Sequence, residues 1–146
     1  MGQGKELENL KSLVDNYGLS DHVRFCGRIT KKELSEMTAI ADVFVLPSMS
    51  EGHSVALLEA MASGLPAVAS DIDGNRESVE DGVTGFLFRN GDAQNLAEKL
   101  TIVLTDNRLR QTLSVNSYQI YIKKFSTKTQ MDSYLKIYNS LINPGN

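Results

Sequence analysis

Two glutamates, Glu51 and Glu59, are separated by only seven residues, which makes them candidates for binding or catalysis at one site. Glu59 is the only fixed charge between Gly52 and Ser70. A carboxylate in so apolar a run is costly to desolvate unless another group binds it. The pattern therefore predicts a binding role for Glu59.

The elements around the two glutamates predict where their side chains lie. Val43–Leu46 is an unbroken apolar run that Pro47 stops, which is typical of a strand buried on both faces of a parallel sheet. A helix from about Ser54 to Ser63 follows, and Gly64 is suited to end it. A strand, a short polar loop and a helix present a helix N-terminus to an anionic ligand.

The helix N-terminus predicts a nucleotide-type site. The backbone N–H groups at its start would point at a phosphate, and these belong to Gly52, His53, Ser54 and Val55. Glu59 lies about 7 Å along the helix axis, where a ribose could bind its two oxygens. Glu51 could reach a group attached to the other phosphate. The alternative is that Glu51 only favours the helix N-terminus and Glu59 faces solvent. Spacing alone leaves both interpretations open.

Composition narrows the class of protein. The chain has 146 residues, 41% of them hydrophobic and 23% charged, which fits one soluble globular domain over residues 1–146. The net charge of -3 offers no electrostatic argument for nucleic acid as a partner. A single cysteine, Cys26, indicates a reducing, cytoplasmic setting, and we expect it to be buried in a strand. No apolar run is long enough to cross a membrane, so any membrane contact would be peripheral.

Helices and strands alternate along the chain. Leu7 to Tyr17 forms a helical stripe that Gly18 ends, and Val23 to Cys26 is predicted as a strand. Further strands are predicted at 67–69 and 85–88, and further helices at 30–40, 92–104, 107–123 and 127–142. Thr30 and Glu33 have the spacing of a capping box, and Asp92 is expected to cap the helix that it starts. The order predicts an α/β fold with a Rossmann-like, doubly wound parallel sheet and helices on both faces. Because Met1–Gly4 leads directly into a helix, we expect the first strand or strands of the domain to be missing.

Residues 50–88 closely resemble the core of the retaining glycosyltransferases of the group 1 family. These proteins have the GT-B fold, in which two Rossmann-like domains face each other across a cleft. The resemblance implies that this chain is the C-terminal, donor-binding domain. It also implies that Glu59 holds the ribose of a nucleoside-diphosphate sugar and that Glu51 lies at the transferred sugar.

The same resemblance implies the remaining donor contacts. Amides of the loop from Gly52 to Val55 would bind the diphosphate and the sugar hydroxyls. Gly27, Arg28 and Ile29 would meet the nucleobase, largely through backbone groups. The family commonly has an aromatic residue where His53 stands here. No metal and no cofactor is expected.

The resemblance further implies a partner that this sequence does not contain. The family's basic phosphate clamp and its N-terminal acceptor-binding domain lie upstream of residue 1. We therefore expect the parent protein to be a retaining hexosyltransferase and the fragment alone to be inactive. The alternatives are a non-catalytic module that binds nucleotide sugars or acts as a scaffold, and a related GT-B-fold epimerase.

Other polar residues have less specific interpretations. Asp71 and Asp73 could hold a metal or cap a helix that begins near Arg76. His22 and His53 have no partner at zinc-ligand spacing. The terminal helix is expected to complete the hydrophobic core, and the alternative is that its apolar face is partly uncovered.

Overall fold

The computed structural model describes residues 6–142, and the prediction for Met1–Gly4 lies outside them. The helices are α1 (Leu7–Asn16), α2 (Lys31–Ile40), α3 (Val55–Ala62), α4 (Asp73–Arg76), α5 (Ala93–Thr105), α6 (Asn107–Ile120) and α7 (Thr127–Ile142), with a π-helical segment at Tyr121–Phe125. The strands are β1 (Phe44–Leu46), β2 (Ala67–Ser70) and β3 (Gly85–Phe88). The chain divides into two compact units, one ending at Met37 and one starting at Thr38.

The second unit is built on a parallel sheet in the order β1-β2-β3. Phe44 lies opposite Ala67, and Ala67 lies opposite Gly85, so the three strands begin in register. A Cβ on Gly85 would overlap the carbonyl oxygen of Ala67, which explains why a glycine starts β3. The predicted α/β fold with a parallel sheet is confirmed.

Helices cover the sheet on both faces. Leu57 of α3 packs with Ala67, Ala69 and Val79 on one face. On the other face, Val68 packs with Phe88, with Val103 of α5 and with Leu113 of α6. Every residue of β2 is buried, whereas the residues of β1 are only half-buried. The prediction of full burial for β1 was wrong because, among the described residues, β1 has a neighbouring strand on one side only.

The first unit is stabilised by local hydrogen bonds. Gly18 has a φ of 65° and follows α1, where its N–H donates to the carbonyl of Asp15. Thr30 and Glu33 form the predicted capping box at the start of α2, with the Thr30 N–H donating to the Glu33 carboxylate at 2.7 Å. This bond holds the pKa of Glu33 below its usual value.

The predicted strand at residues 23–26 is not present as a strand. No described segment forms a ladder with it, and extended backbone becomes a strand only by pairing with a neighbour. Cys26 is partly exposed, so its predicted burial was also wrong.

The last helix does not complete the core. No residue of α7 is buried, and its apolar side chains, Tyr134 and Leu141 among them, remain exposed. The Ser126 hydroxyl accepts from the Thr129 N–H at 3.3 Å, so the cap lies one residue before Thr127. Within residues 6–142, no helix combines the length and apolarity that crossing a bilayer requires.

Candidate functional site

The loops that follow the three parallel strands meet at the carboxyl end of the sheet. The β1 loop runs over residues 47–54, and the Asn90 side chain of the β3 loop donates to its Met49 carbonyl at 3.5 Å. Ligands of open parallel sheets bind in the crevice at this end. The candidate site is therefore the β1 loop together with the start of α3.

The N-terminus of α3 offers a row of free donors. Ser54 caps the helix, and its hydroxyl accepts from the Leu57 N–H at 3.4 Å. In the part of the chain that the structure describes, the N–H groups of residues 52–55 have no acceptor. With the positive end of the helix dipole, these donors favour an anion such as a phosphate. The predicted loop-helix geometry is present.

Glu51 and Glu59 differ in environment. Glu51 is half-buried in the loop and accepts a hydrogen bond from the Ser48 hydroxyl at 2.8 Å. Glu59 lies in the second turn of α3 and is exposed, and its carboxylate has no side-chain partner among residues 6–142. Glu59 is therefore not desolvated, which is the solvent-facing environment of the alternative interpretation. The helix buries Leu57, Ala60 and Met61, and position 59 lies outside that buried set.

His53 is positioned by two residues from later in the chain. Its Nδ1 lies 3.5 Å from the Glu77 carboxylate. Its ring packs against Phe125 with centroids 5.5 Å apart and planes at 50°. Phe125 belongs to the π-helical segment, so this irregular turn supplies the aromatic contact. The sequence periodicity gave no signal for it.

Asp71 and Asp73 do not cap a helix. Helix α4 begins at Asp73 itself, and the preceding residue, Ile72, makes no side-chain cap. Both carboxylates instead bind Arg76, Asp71 at 2.6 Å and Asp73 at 3.1 Å. The Arg76 guanidinium lowers the pKa of Asp71 below its usual value. Across residues 6–142, no three acidic, histidine or cysteine side chains cluster as metal ligands would.

A buried polar junction beneath the β1 loop was missed from the sequence. The Ser70 hydroxyl, at the end of β2, donates to the carbonyl of Ser48. The Asn75 side chain, fully buried in α4, donates to both the carbonyl and the hydroxyl oxygen of Ser70, at 2.9 and 3.2 Å. The sequence pattern that could have indicated these buried hydrogen bonds is a serine at the end of an otherwise apolar strand, followed by Gly74 and Asn75.

The predicted nucleobase residues lie in the first unit. Gly27 has a φ of 60°, a conformation that L side chains rarely adopt. Gly27 and Ile29 are partly buried, whereas Arg28 is exposed. The turn therefore exposes a cationic side chain beside a backbone that only glycine adopts readily.

Fold and site together define a class of protein. A parallel α/β sheet with free helix N-terminal amides at its carboxyl end is the arrangement of nucleotide-binding domains. The family model for glycosyl transferases group 1 matches residues 1–120, and the chain belongs to this family. Its fold is accordingly the Rossmann-like half of a GT-B glycosyltransferase.

Individual relatives agree with this assignment. The lipopolysaccharide core biosynthesis glycosyltransferase LpsE of Rhizobium meliloti is 31% identical over 94% of this chain, and the match covers 40% of that protein. The structure of sucrose-phosphate synthase from Thermosynechococcus elongatus is similar with a TM-score of 0.85 and 30% identity, covering 97% of this chain and 36% of that one.

A second similar structure contains a nucleotide sugar. HepE of Anabaena in complex with UDP-glucose has a TM-score of 0.83 and 27% identity, covering 94% of this chain and 38% of that one. The chain thus spans about two fifths of the length of these relatives.

Proposed function

We propose that this chain is the donor-binding part of a retaining glycosyltransferase that transfers a hexosyl group to a sugar or lipid-linked acceptor. The donor is a nucleoside-diphosphate sugar. The observation that carries the proposal is the start of α3, where the N–H groups of residues 52–55 have no protein acceptor among the described residues and Glu51 and Glu59 flank them in sequence. Membership of the family and the similarity to a UDP-glucose complex support it.

Each group of the site has a role in this proposal. The amides of residues 52–55 bind the diphosphate, and the exposed Glu59 carboxylate accepts from the two ribose hydroxyls. Glu51 and His53 contact the transferred sugar. Gly27–Ile29 contacts the nucleobase through its backbone. No metal and no cofactor takes part.

Catalysis then depends on positioning and on stabilising the leaving charge. The acceptor hydroxyl oxygen attacks the anomeric carbon from the face that the leaving diphosphate vacates. The bond from that carbon to the diphosphate oxygen breaks, and a diphosphate oxygen takes the proton of the acceptor hydroxyl. Glu51 acts as a positioning and electrostatic group, and the helix N-terminus stabilises the diphosphate charge.

The proposal needs a second domain. The chain spans 40% of LpsE, and we infer that an N-terminal acceptor-binding domain of the parent protein supplies the rest of the active site. The 146 residues alone then bind the donor weakly and transfer nothing. The parent acts in the cytoplasm, with peripheral membrane contact where the acceptor is lipid-linked. The alternative of a non-catalytic nucleotide-sugar-binding module predicts no transfer even by the full-length protein.

The ribose assignment is tested with Glu59→Ala in the full-length protein. Titration with UDP-, GDP- and ADP-glucose identifies the preferred donor, and the donor KM is then compared between wild type and variant. Loss of hydrogen bonds to a carboxylate is worth about 1.5–3 kcal/mol, so KM should rise about 10- to 150-fold.

Glu98→Ala is the matched control because Glu98 is also an exposed glutamate within a helix, α5. Its donor KM should equal that of the wild type. An unchanged KM for Glu59→Ala would remove the ribose role. Failure of every nucleotide sugar to bind the wild type would overturn the proposed function.

A further inference from the structure

We propose that Ser70 and Asn75 are positioning residues that hold Glu51 in place for the transferred sugar. Neither residue belongs to the donor-contact set described above, and both are fully buried. The inference rests on the proposed function for the role of Glu51. The positioning itself follows from the contacts of the described residues.

A chain of hydrogen bonds connects the two residues to Glu51. The Asn75 side chain donates to the carbonyl of Ser70 at 2.9 Å and to its hydroxyl oxygen at 3.2 Å. The Ser70 hydroxyl donates to the carbonyl of Ser48, with the Leu46 carbonyl at 3.5 Å. The Ser48 hydroxyl then donates to the Glu51 carboxylate at 2.8 Å. The end of β2 and the start of α4 therefore fix the loop that follows β1.

The backbone of α4 fixes the same loop from a second direction. A Cβ on Gly74 would overlap the carbonyl oxygens of both Glu51 and Gly52, so α4 is in direct contact with this turn. Asn75 follows Gly74 in the chain, and its Oδ1 has no hydrogen-bond partner in the part of the chain that the structure describes. The two hydrogen bonds that it donates to Ser70 are thus the polar contacts of the Asn75 side chain among the described residues.

The inference predicts selective loss of sugar recognition. If Ser70 and Asn75 act through Glu51, their removal weakens contacts to the sugar and spares those to the ribose and diphosphate. The probes are UDP and UDP-glucose, or the corresponding pair for the base that the wild type prefers. Ser70→Ala and Asn75→Leu should weaken UDP-glucose binding about tenfold and leave UDP within about twofold.

The matched control is Ser117→Ala. Ser117 is also a fully buried serine whose hydroxyl donates to a backbone carbonyl, that of Leu65 at 3.0 Å, near the opposite end of the sheet. The ratio of UDP-glucose affinity to UDP affinity in Ser117→Ala should equal that of the wild type. Equal loss of UDP and UDP-glucose affinity in Ser70→Ala, or no loss at all, would overturn the inference.

A ligand-free measurement separates this inference from the proposed function. Backbone order parameters of residues 48–52, from ¹⁵N relaxation of the full-length protein, should fall from about 0.85 toward about 0.6 in Ser70→Ala and stay unchanged in Ser117→Ala. Unchanged values in Ser70→Ala would overturn the positioning role. If the wild type binds no nucleotide sugar, the proposed function fails, while the order parameters still decide whether Ser70 holds the loop.

Ser48→Ala provides a test that does not depend on a buried substitution. Ser48 is half-buried in the loop. Its substitution therefore removes the hydrogen bond from the Ser48 hydroxyl to Glu51 and leaves the hydrophobic core intact. The ratio of UDP-glucose to UDP affinity should fall in this variant as it does in Ser70→Ala. A wild-type ratio in Ser48→Ala would overturn the inference even where Ser70→Ala does not fold.

Discussion

The two ends of the parallel sheet differ in whether their polar groups are paired within the protein. At the amino end, Arg110 binds Asp42 at 3.3 Å and also donates to the carbonyls of Val103 and Leu104. The Ser117 hydroxyl near that end is bound to the Leu65 carbonyl. At the carboxyl end, the N–H groups of residues 52–55 and the Glu59 carboxylate have no partner among the described residues.

Cavity size does not distinguish the functional end. A cavity of about 260 Å³ lies at the amino end, lined by Asp42, Arg110 and the turn at Gly64–Pro66. Its charged groups already bind each other, so a ligand there would have to replace existing interactions. The carboxyl end therefore offers donors and a carboxylate to a ligand, whereas the charged groups of the cavity at the amino end are already paired.

The substitution with the greatest expected loss of stability tests how tightly α4 holds the β1 loop. Gly74→Ala places a Cβ against the carbonyl oxygens of Glu51 and Gly52, so either α4 or the loop must move. We expect a loss of about 1–3 kcal/mol in the free energy of unfolding, measured by urea denaturation.

Gly52→Ala is the control for this substitution. A Cβ added to Gly52 would meet open space, and the backbone there is outside the positive-φ region, so stability should change by less than about 0.5 kcal/mol. If Gly74→Ala is as stable as Gly52→Ala, the contact with α4 does not constrain the position of the β1 loop.

The amino end is tested with Arg110→Ala. This change removes the ion pair with Asp42 and two hydrogen bonds to the end of α5, and we expect a loss of about 1–2 kcal/mol in stability. Affinity for the nucleotide sugar should not change, because the lost contacts lie at the other end of the sheet. A parallel loss of donor affinity, measured by calorimetry, would contradict the separation of the two ends.

The helix N-terminus is tested with Ser54→Ala. The cap lost from α3 is worth about 1 kcal/mol of stability, and UDP-glucose affinity should also fall because the N-terminal amides lose their fixed orientation. Asp92→Ala removes the equivalent cap of α5, where Asp92 accepts from the Asn95 N–H at 2.9 Å. Asp92→Ala should lose stability and keep its affinity for UDP-glucose. Loss of affinity in both variants would show that lower stability, and not the N-terminus of α3, reduces binding.

The smallest expected effect concerns Asp71 and Arg76. Their pair is more than a third exposed, so Asp71→Asn should change stability by less than about 1 kcal/mol. Because Arg76 lowers the pKa of Asp71, the pair stabilises the fold above the usual pKa of 3.8 and is lost as pH falls through the lowered value. The difference between wild type and variant, followed by thermal melts from pH 7 to pH 2, should therefore vanish at the acid end.

Local features of the fold could be predicted because each depends on residues close together in the chain. The capping box of Thr30 and Glu33, the cap at Asp92 and the turn at Gly18 all formed as expected. The start of α3 also followed from a strand, a polar loop and Ser54. The resemblance to the glycosyltransferase family could be read from residues 50–88 for the same reason.

Features that depend on distant residues could not be predicted. Residues 23–26 have the composition of a strand, but pairing with a neighbour decides whether a strand forms. Helix α7 has an apolar face, but only packing decides whether that face is covered. His53 meets Phe125 across 72 positions, and no local pattern contains that contact.

Local sequence patterns were sufficient to predict the three strands of the sheet, the longer helices and the position of two glutamates on either side of a helix start. They were not sufficient to exclude a strand at residues 23–26. The exposure of Glu59, the hydrogen bond from Ser48 to Glu51 and the position of Ser70 and Asn75 beneath the same loop depend on packing between distant segments. Helix caps and turns arise from neighbouring residues, whereas burial and hydrogen bonds between loops arise only when the sheet brings the ends of separate strands together.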